Sequence, residues 1–281
     1  MEDEGMRVTW GGVRGSFPVH TEGCEGFGGA TTALMVESGD PLHKVIIDAG
    51  SGLAHLTPFP TPPAEGGKLL MLFTHFHLDH LMGLPAFPAF YDTRTRITLA
   101  APELEGVTLE QAAKRLVAPP YWPITPFSAA TFLSWTARSL EPFPFGPFAI
   151  TWMPVAHPNG CVAYRIEDRH SGHALVFATD FEWPAMDPDA QAAFLAFCGD
   201  APDLLVLDGH FDGEEAQRHA GWGHNTWQSD VEIARQVNAK RLLITHHAPH
   251  ADDALLENRQ RALAALFPES GFARMNEVTS V

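Results

Sequence analysis

Four short apolar runs in this chain each end on a residue that can hold a metal ion, and that repetition constrains the fold more than any other feature. Residues 69–73 lead into Thr74-His75-Phe76-His77-Leu78-Asp79-His80, residues 152–156 into His157, residues 175–179 into Asp180, and residues 242–245 into His246. Runs of this length bounded by turn signals read as buried strands. A single polar residue after a strand is commonly just a turn residue. Four strand ends that all deliver imidazole or carboxylate are better explained by one sheet edge gathering them into a common site. The 15 histidines, close to the 18 lysines and arginines combined, agree with metal chemistry.

The densest of these segments has the form H-x-H-x-[DE]-H, which is expected by chance in roughly one chain in two hundred of this composition. A loop leaving a strand can aim alternate imidazoles at one ion. The next carboxylate and imidazole then face a second ion, typically about 3.5–4 Å from the first. Every candidate ligand is imidazole or carboxylate. That set suits zinc, with manganese or iron as alternatives, because geometry and availability decide occupancy. Cys24, Cys161 and Cys198 form no C-x-x-C pair and read as free thiols. Cys161 falls inside an expected strand, where it serves as a small core residue.

Strands are expected over residues 6–10, 31–36, 44–47, 69–73, 96–100 and 131–136, and again over 148–153, 161–166, 174–178, 204–207 and 241–244. Helices are fewer. Thr108-Leu109-Glu110-Gln111 reads as a capping box opening a helix to about residue 116. Others are expected over 187–197, from Asn225-Thr226 to about 237, and over 252–267 with Gly271 beyond as a stop. The Pro-rich stretches 58–63, 119–126 and 142–147 read as loops. Two sheets flanked by helices, in one domain over residues 1–281, is the architecture this order implies.

The net charge of −16 argues against nucleic-acid polymers and anionic membranes as partners, since both need a basic face. No apolar stretch approaches the ~18 residues of a membrane span. Met1-Glu2-Asp3-Glu4 has none of the basic-then-apolar character of a signal peptide, and the expectation is a cytoplasmic protein.

The order H-x-H-x-D-H, then His, Asp and His, resembles the metallo-β-lactamase superfamily, and the resemblance covers nearly the whole chain. It implies an α/β (α+β) fold, the αββα four-layer sandwich with its metal site at one sheet edge. Gly12-Val13-Arg14-Gly15-Ser16-Phe17-Pro18, Asp48-Ala49-Gly50-Ser51-Gly52, His157-Pro158-Asn159-Gly160, Phe177-Ala178-Thr179-Asp180 and Gly223-His224-Asn225-Thr226 are similar to the branch of ribonuclease Z-like and PhnP-like phosphodiesterases. The resemblance implies one ion held by His75, His77 and His157, a second held by Asp79, His80 and His246, and Asp180 bridging them. His247 is the alternative last ligand; a Thr-His at the strand end favours His246.

The same resemblance implies catalytic roles. Asp79 would accept a hydrogen bond from the nucleophile, and His224, paired with an acid, would assist the leaving group. The matching acid is Asp208, where the family more often has glutamate. Alternatively, His224 merely helps to cap a helix. Bacterial ribonuclease Z-like enzymes carry a long arm between the motifs matching His157 and Asp180. Here only the 22 residues 158–179 intervene, which leaves no room for it.

The resulting expectation is a dinuclear metal-dependent hydrolase, a phosphodiesterase acting on a small phosphodiester such as a cyclic nucleotide or cyclic phosphate. Tyr121 and Trp122 offer an aromatic wall for a base, or ordinary loop packing. The alternatives are a thioester or lactone hydrolase of the same fold, or a non-catalytic binding protein built on it. A homodimer is expected by analogy, with residues 142–148 as a candidate interface.

Overall fold

Strands that are apolar at successive positions are stable only when both of their faces are covered. The computed structural model, which describes residues 5–61, 63–135 and 141–281, provides that cover as four layers. In the first sheet β1 (Arg7–Gly12), β2 (Ala33–Glu37), β3 (His43–Ile47), β4 (Gly67–Leu72), β5 (Thr95–Pro102) and β6 (Thr131–Trp135) lie side by side in chain order. In the second, β7 (Phe143–Phe145), β8 (Phe148–Val155), β9 (Cys161–Asp168), β10 (Ala174–Ala178), β11 (Leu204–Asp208), β12 (Leu242–Thr245) and β13 (Ser270–Phe272) do the same. Each half of the chain therefore builds one sheet. The short β14 (Val278–Ser280) returns to pair with β1.

The alternation along each strand divides its side chains between layers. Leu34 and Val36 of β2 face the second sheet, in a core shared with Ile150, Val162, Phe177 and Val206. Ala33 and Met35 of the same strand face outward, into an outer core that includes Leu53 and, over β5 and β6, Leu109 and Ala113 of α1 (Leu109–Leu116). On the other side, Leu205 and Leu207 of β11 face α2 (Pro188–Cys198), α4 (Trp227–Gln236) and α5 (Asp253–Leu266).

Local chemistry starts these helices where the sequence indicates. Thr108 accepts from the Gln111 N–H and Gln111 returns the bond, closing the expected capping box. Thr226 caps α4 through the Ser229 N–H, and Asp252 caps α5 through that of Leu255.

Strand direction positions the site. β10, β11 and β12 are parallel neighbours, and β8 lies two antiparallel steps from β10, so all four run the same way. Their C-terminal ends share one edge. The Val162 N–H donates to the Thr74 carbonyl at 3.0 Å and ties the loop after β4 to that same edge.

Some local expectations change. Residues 143–145, read as part of a loop, form edge strand β7, where proline is tolerated because an edge has N–H groups with no ladder partner. Gly271 lies inside β13 rather than acting as a helix stop. Helix α3 (Gly213–Arg218) was not anticipated; it buries none of its residues and rests on an Asp212 capping box. Residues 1–4, Pro62 and Thr136, which figure in the sequence expectations, lie outside the described residues. Among the described residues no helix is long and apolar enough to cross a membrane. Cys24, Cys161 and Cys198 are free and buried.

Candidate metal centre

The first candidate ligand of each segment sits within three residues of a strand end, and His77, Asp79 and His80 follow in the loop after β4. His75 follows β4, His157 follows β8, Asp180 follows β10 and His246 follows β12. At three such ends the backbone turns through the left-handed region, at Asp48 (φ 58°), Asp180 (φ 58°) and His246 (φ 61°). This conformation is unfavourable for residues other than glycine and clusters where function demands it. Here it turns each side chain out of the sheet and across the edge.

Two glycines make room for the rings. A Cβ on Gly15 would lie 2.3 Å from the His246 ring, and one on Gly223 would lie 2.2 Å from His157 Nδ1.

The side chains gather into two groups joined by one carboxylate. His75, His77 and His157 converge on one point, and Asp79, His80 and His246 on another. Asp180 faces both. Its Oδ1 lies 3.9 Å from His75 Nε2 and 3.8 Å from His157 Nε2, while its Oδ2 lies 3.3 Å from both His80 Nε2 and His246 Nε2. The seven residues singled out from the sequence are thus brought together at one edge, where His75 also converges with His80 and Asp180, and His246 with Asp208, His210 and His224.

His246, not His247, reaches the centre. His247 is fully buried, donates from Nε2 to the Ala273 carbonyl at 2.9 Å, and packs edge-on against Phe27.

The nitrogens meet in a way that calls for a cation. The His80 Nδ1–H donates to Asp48 Oδ2 at 2.8 Å, which aims Nε2 at the centre, where it is a lone pair when a metal cation takes the place of a proton. The His157 Nδ1–H donates to the Gly223 carbonyl at 2.9 Å, with the same consequence. His77 donates from Nε2 to Asn159 Oδ1 at 3.3 Å, which leaves Nδ1 as the lone pair. Partners of this kind set the tautomer and orientation of metal-ligating histidines.

The freed atoms then crowd one another: His77 Nδ1 is 3.2 Å from His157 Nε2, and His80 Nε2 is 3.3 Å from His246 Nε2. Buried His75 Nε2 and Asp180 Oδ2 make no hydrogen bond. Converging lone pairs repel unless positive charge lies between them. The donor set and its orphaned atoms therefore fit two divalent cations.

Electrostatics point the same way. Burial lowers the His80 pKa, yet Asp79, Asp180 and Asp48 outweigh it and hold it well above the ordinary histidine value. Burial pushes the Asp180 carboxyl up, but His246, His80 and His75 hold it well below the usual carboxylate range. Asp79 is held low as well: His80 and His246 overcome its burial, and the Ser16 N–H donates to its Oδ2 at 2.7 Å. The edge attracts positive charge.

Beside the centre, the His224 Nδ1–H donates to Asp208 Oδ2 at 2.8 Å, so the pair is formed with aspartate in place of glutamate. Asp208 also accepts from the Asp180 N–H at 2.9 Å and so links the pair to the bridging residue. Burial lowers the His224 pKa, but Asp208, and then Asp180 and Asp79, raise it to about 9. Thr226 rather than His224 caps the helix.

Sequence reasoning missed several members of this site. Asp48 appeared only inside a motif, yet it is fully buried and accepts from Thr74 and His80. It follows β3 as the other acids follow their strands, which was the available signal. His210 stacks on His224 with centroids 4.4 Å apart and donates from Nδ1 to the His246 carbonyl at 2.9 Å. The Gly223 carbonyl left no sequence signal at all.

Comparison with known proteins places this geometry in context. The family model described as the β-lactamase superfamily domain matches residues 43–247. The chain is 29% identical over 249 residues to "Probable metallo-hydrolase YhfI" of Bacillus subtilis (strain 168), covering 87% of this chain and 88% of that protein. It is 26% identical over 280 residues to "Ribonuclease BN" of Cronobacter sakazakii (strain ATCC BAA-894), covering 81% and 86%. Among solved structures, a diphosphatase from the PhnP family superposes with a TM-score of 0.68 at 20% identity, covering 98% of each chain. That likeness is one of fold.

Proposed function

The chain belongs to the metallo-β-lactamase superfamily, and from that premise we propose that it is a dinuclear metal-dependent phosphodiesterase acting on a small phosphodiester, cyclic phosphates included. The coarser statement, a metallo-hydrolase related to the ribonuclease Z and PhnP proteins, rests on the comparisons. The finer one rests on a single observation, the buried His224–Asp208 pair beside the bridging Asp180. A departing alkoxide needs a proton, and an imidazolium held by a carboxylate is built to deliver one. A thiolate or a stabilised alkoxide needs it far less.

His75, His77 and His157 would hold one ion, Asp79, His80 and His246 the other, and Asp180 both. Zinc is the preferred metal on the donor set. When bound, such ions supply Lewis acidity that acidifies water and offsets charge on the phosphoryl oxygens. Asp79 Oδ2 accepts from the Ser16 N–H, and its Oδ1 would accept a hydrogen bond from the nucleophile. His224 carries the proton for the departing oxygen, and Asp208 keeps Nδ1 protonated and its ring oriented.

Two observations support a small substrate over an RNA. The charge of −16 would repel a polyanion. Residues 158–179 are filled by β9, β10 and the turn between them, with no projecting arm.

The test is metal analysis of the purified protein, followed by assays with bis(p-nitrophenyl) phosphate, cyclic nucleotides, a thioester and a lactone. Phosphodiester turnover that collapses in His224→Ala for unactivated leaving groups is expected. Turnover of acyl substrates alone, indifferent to His224→Ala, would favour the thioester or lactone hydrolase. Protein that binds metal and hydrolyses nothing would favour a binding protein.

A further inference from the structure

A cleft of about 510 Å³ opens beside the His75 and His77 half of the centre. One wall is the segment after β4, carrying Leu78; the other is the connection from β5 to β6, carrying Leu104, Val107 and Leu116. Leu78 stands between candidate ligands His77 and Asp79 and yet is 55% exposed, turned into this space. The walls are preformed. Leu104 and Val107 exchange backbone hydrogen bonds of 3.0 and 2.8 Å around Glu105 and Gly106, both left-handed at φ 46° and 78°. Two consecutive left-handed residues make the tight turn that glycine favours. Helix α1 is pinned by its capping box and by Leu109 and Ala113 against the first sheet.

The chemistry of the walls limits what fits. Apart from the candidate ligands, the polar side chains lining the cleft are Glu105, Arg115 and Asn159. Asn159 is already engaged by His77. The polar groups stand at the rim, and the stretch formed by Leu78, Leu81, Leu104, Val107, Ala112 and Leu116 offers an apolar surface that matches a hydrocarbon better than the polar edge of a nucleobase. Tyr121 and Trp122, the expected aromatic wall, do not line the cleft: Tyr121 is 79% exposed, and Trp122 packs against the core beneath the first sheet. The Arg115 guanidinium makes no hydrogen bond or ion pair among the described residues and is the one lysine or arginine side chain at the rim. In a chain of net charge −16 it is suited to draw an anionic substrate in.

The donor sits elsewhere. His224 packs against His157, His210 and His246 and does not line the cleft, so the two features lie at different places around the centre.

We infer that this cleft binds the retained ester substituent of the substrate and that the substituent is an aliphatic chain. The inference rests on the phosphodiesterase reading. In the reaction R–O–PO₂⁻–O–R′ plus water, the P–O bond to R′ breaks and a P–O bond from water forms. The departing R′–O takes a proton through His224, the rest of the water stays on phosphorus, and R–O–PO₃H⁻ leaves with its aliphatic R from the cleft.

The test uses the metal-loaded enzyme with p-nitrophenyl methyl, butyl and octyl phosphates and with a nucleoside p-nitrophenyl phosphate. Burial of each methylene is worth up to about a fourfold gain in kcat/KM until the cleft is filled. The octyl ester is therefore expected to exceed the methyl ester by well over tenfold and to surpass the nucleoside ester. Ala112→Trp, which fills the cleft, and Val107→Asp, which makes its rim polar, should each flatten that dependence. Arg115→Ala should raise KM at low salt while leaving the slope in place.

A flat chain-length profile, or preference for the nucleoside ester, would overturn the inference and leave the phosphodiesterase reading intact. Release of p-nitrophenol from acyl esters but from no phosphate would overturn both.

Discussion

The two halves of the candidate metal centre differ in depth and in what supports them. Asp79, His80 and His246 are buried, and behind them stand the Asp48 carboxylate and the Ser16 N–H. Of His75, His77 and His157, only the first is buried, and the support is an amide oxygen from Asn159 and a backbone carbonyl from Gly223. The first group has the charge and burial of a holding site. The second has the exposure of a working one, and the cleft opens on it. A charged partner behind a ligand raises its basicity more than a neutral one does, so the deep half should bind its ion more tightly.

The harshest way to break this comparison is to remove what the halves share. Asp180→Ala should take bound metal from two ions per chain to one or none, with activity falling on the order of a thousandfold. Elemental analysis and kcat on bis(p-nitrophenyl) phosphate check it, and two tightly held ions in that variant would refute the bridging role. Next, His224→Ala should lower kcat about a hundredfold on alkyl phosphodiesters and less than tenfold on p-nitrophenyl esters, with metal content unchanged. An equal loss on both would mean that His224 does not donate the proton.

Asp48→Ala sharpens the contrast directly. It should weaken the tighter ion by about tenfold to a hundredfold, whereas Asn159→Ala should change either affinity by only about threefold. Competition against a chelator reads both, and a reversed order would mean that the exposed half is the stronger.

The smallest effect belongs to Asp230, whose carboxyl lies behind the donor side and accepts from Asn225 Nδ2 at 2.9 Å. Its burial and the nearby Asp208 charge push its pKa well above the ordinary value. A raised carboxyl pKa contributes stability that is present below about pH 4 and is lost as pH rises through the folded value. Asp230→Asn keeps an acceptor without the charge. It should raise the Tm at pH 8 by a few degrees, for about 1–2 kcal/mol, with no gain near pH 4. A uniform gain across pH would show that charge is not the cause.

The strands were legible because burial on both faces demands long apolar runs, and those runs survive any change of partner. The runs expected at 96–100 and 131–136 appear as β5 and, over the described residues 131–135, β6. Residues 143–145 and 278–280 were illegible as strands because three residues have no pattern of their own, and pairing with β8 and β1 makes them strands. Helix α3 is six residues long and buries nothing, so it left no apolar stripe to read.

At the site, residue types and strand ends were enough to select the seven metal candidates. Asp48 was overlooked because its partners, Thr74 and His80, lie 26 and 32 residues away. The Asp208–His224 pair stayed open for the same reason: whether a shorter aspartate reaches depends on where β11 stops, not on its neighbours in sequence.

By itself, then, the sequence determined the donor chemistry, the strand ends that carry it and the layered fold that follows from two-sided burial. Only the tertiary structure decided between His246 and His247, because a single left-handed turn after β12 sends one ring into the centre and its neighbour into the core. It alone decided the tautomers of His77, His80 and His157, and it alone created the apolar cleft. Those outcomes depend on contacts between segments distant in sequence, and such contacts leave no local pattern to read.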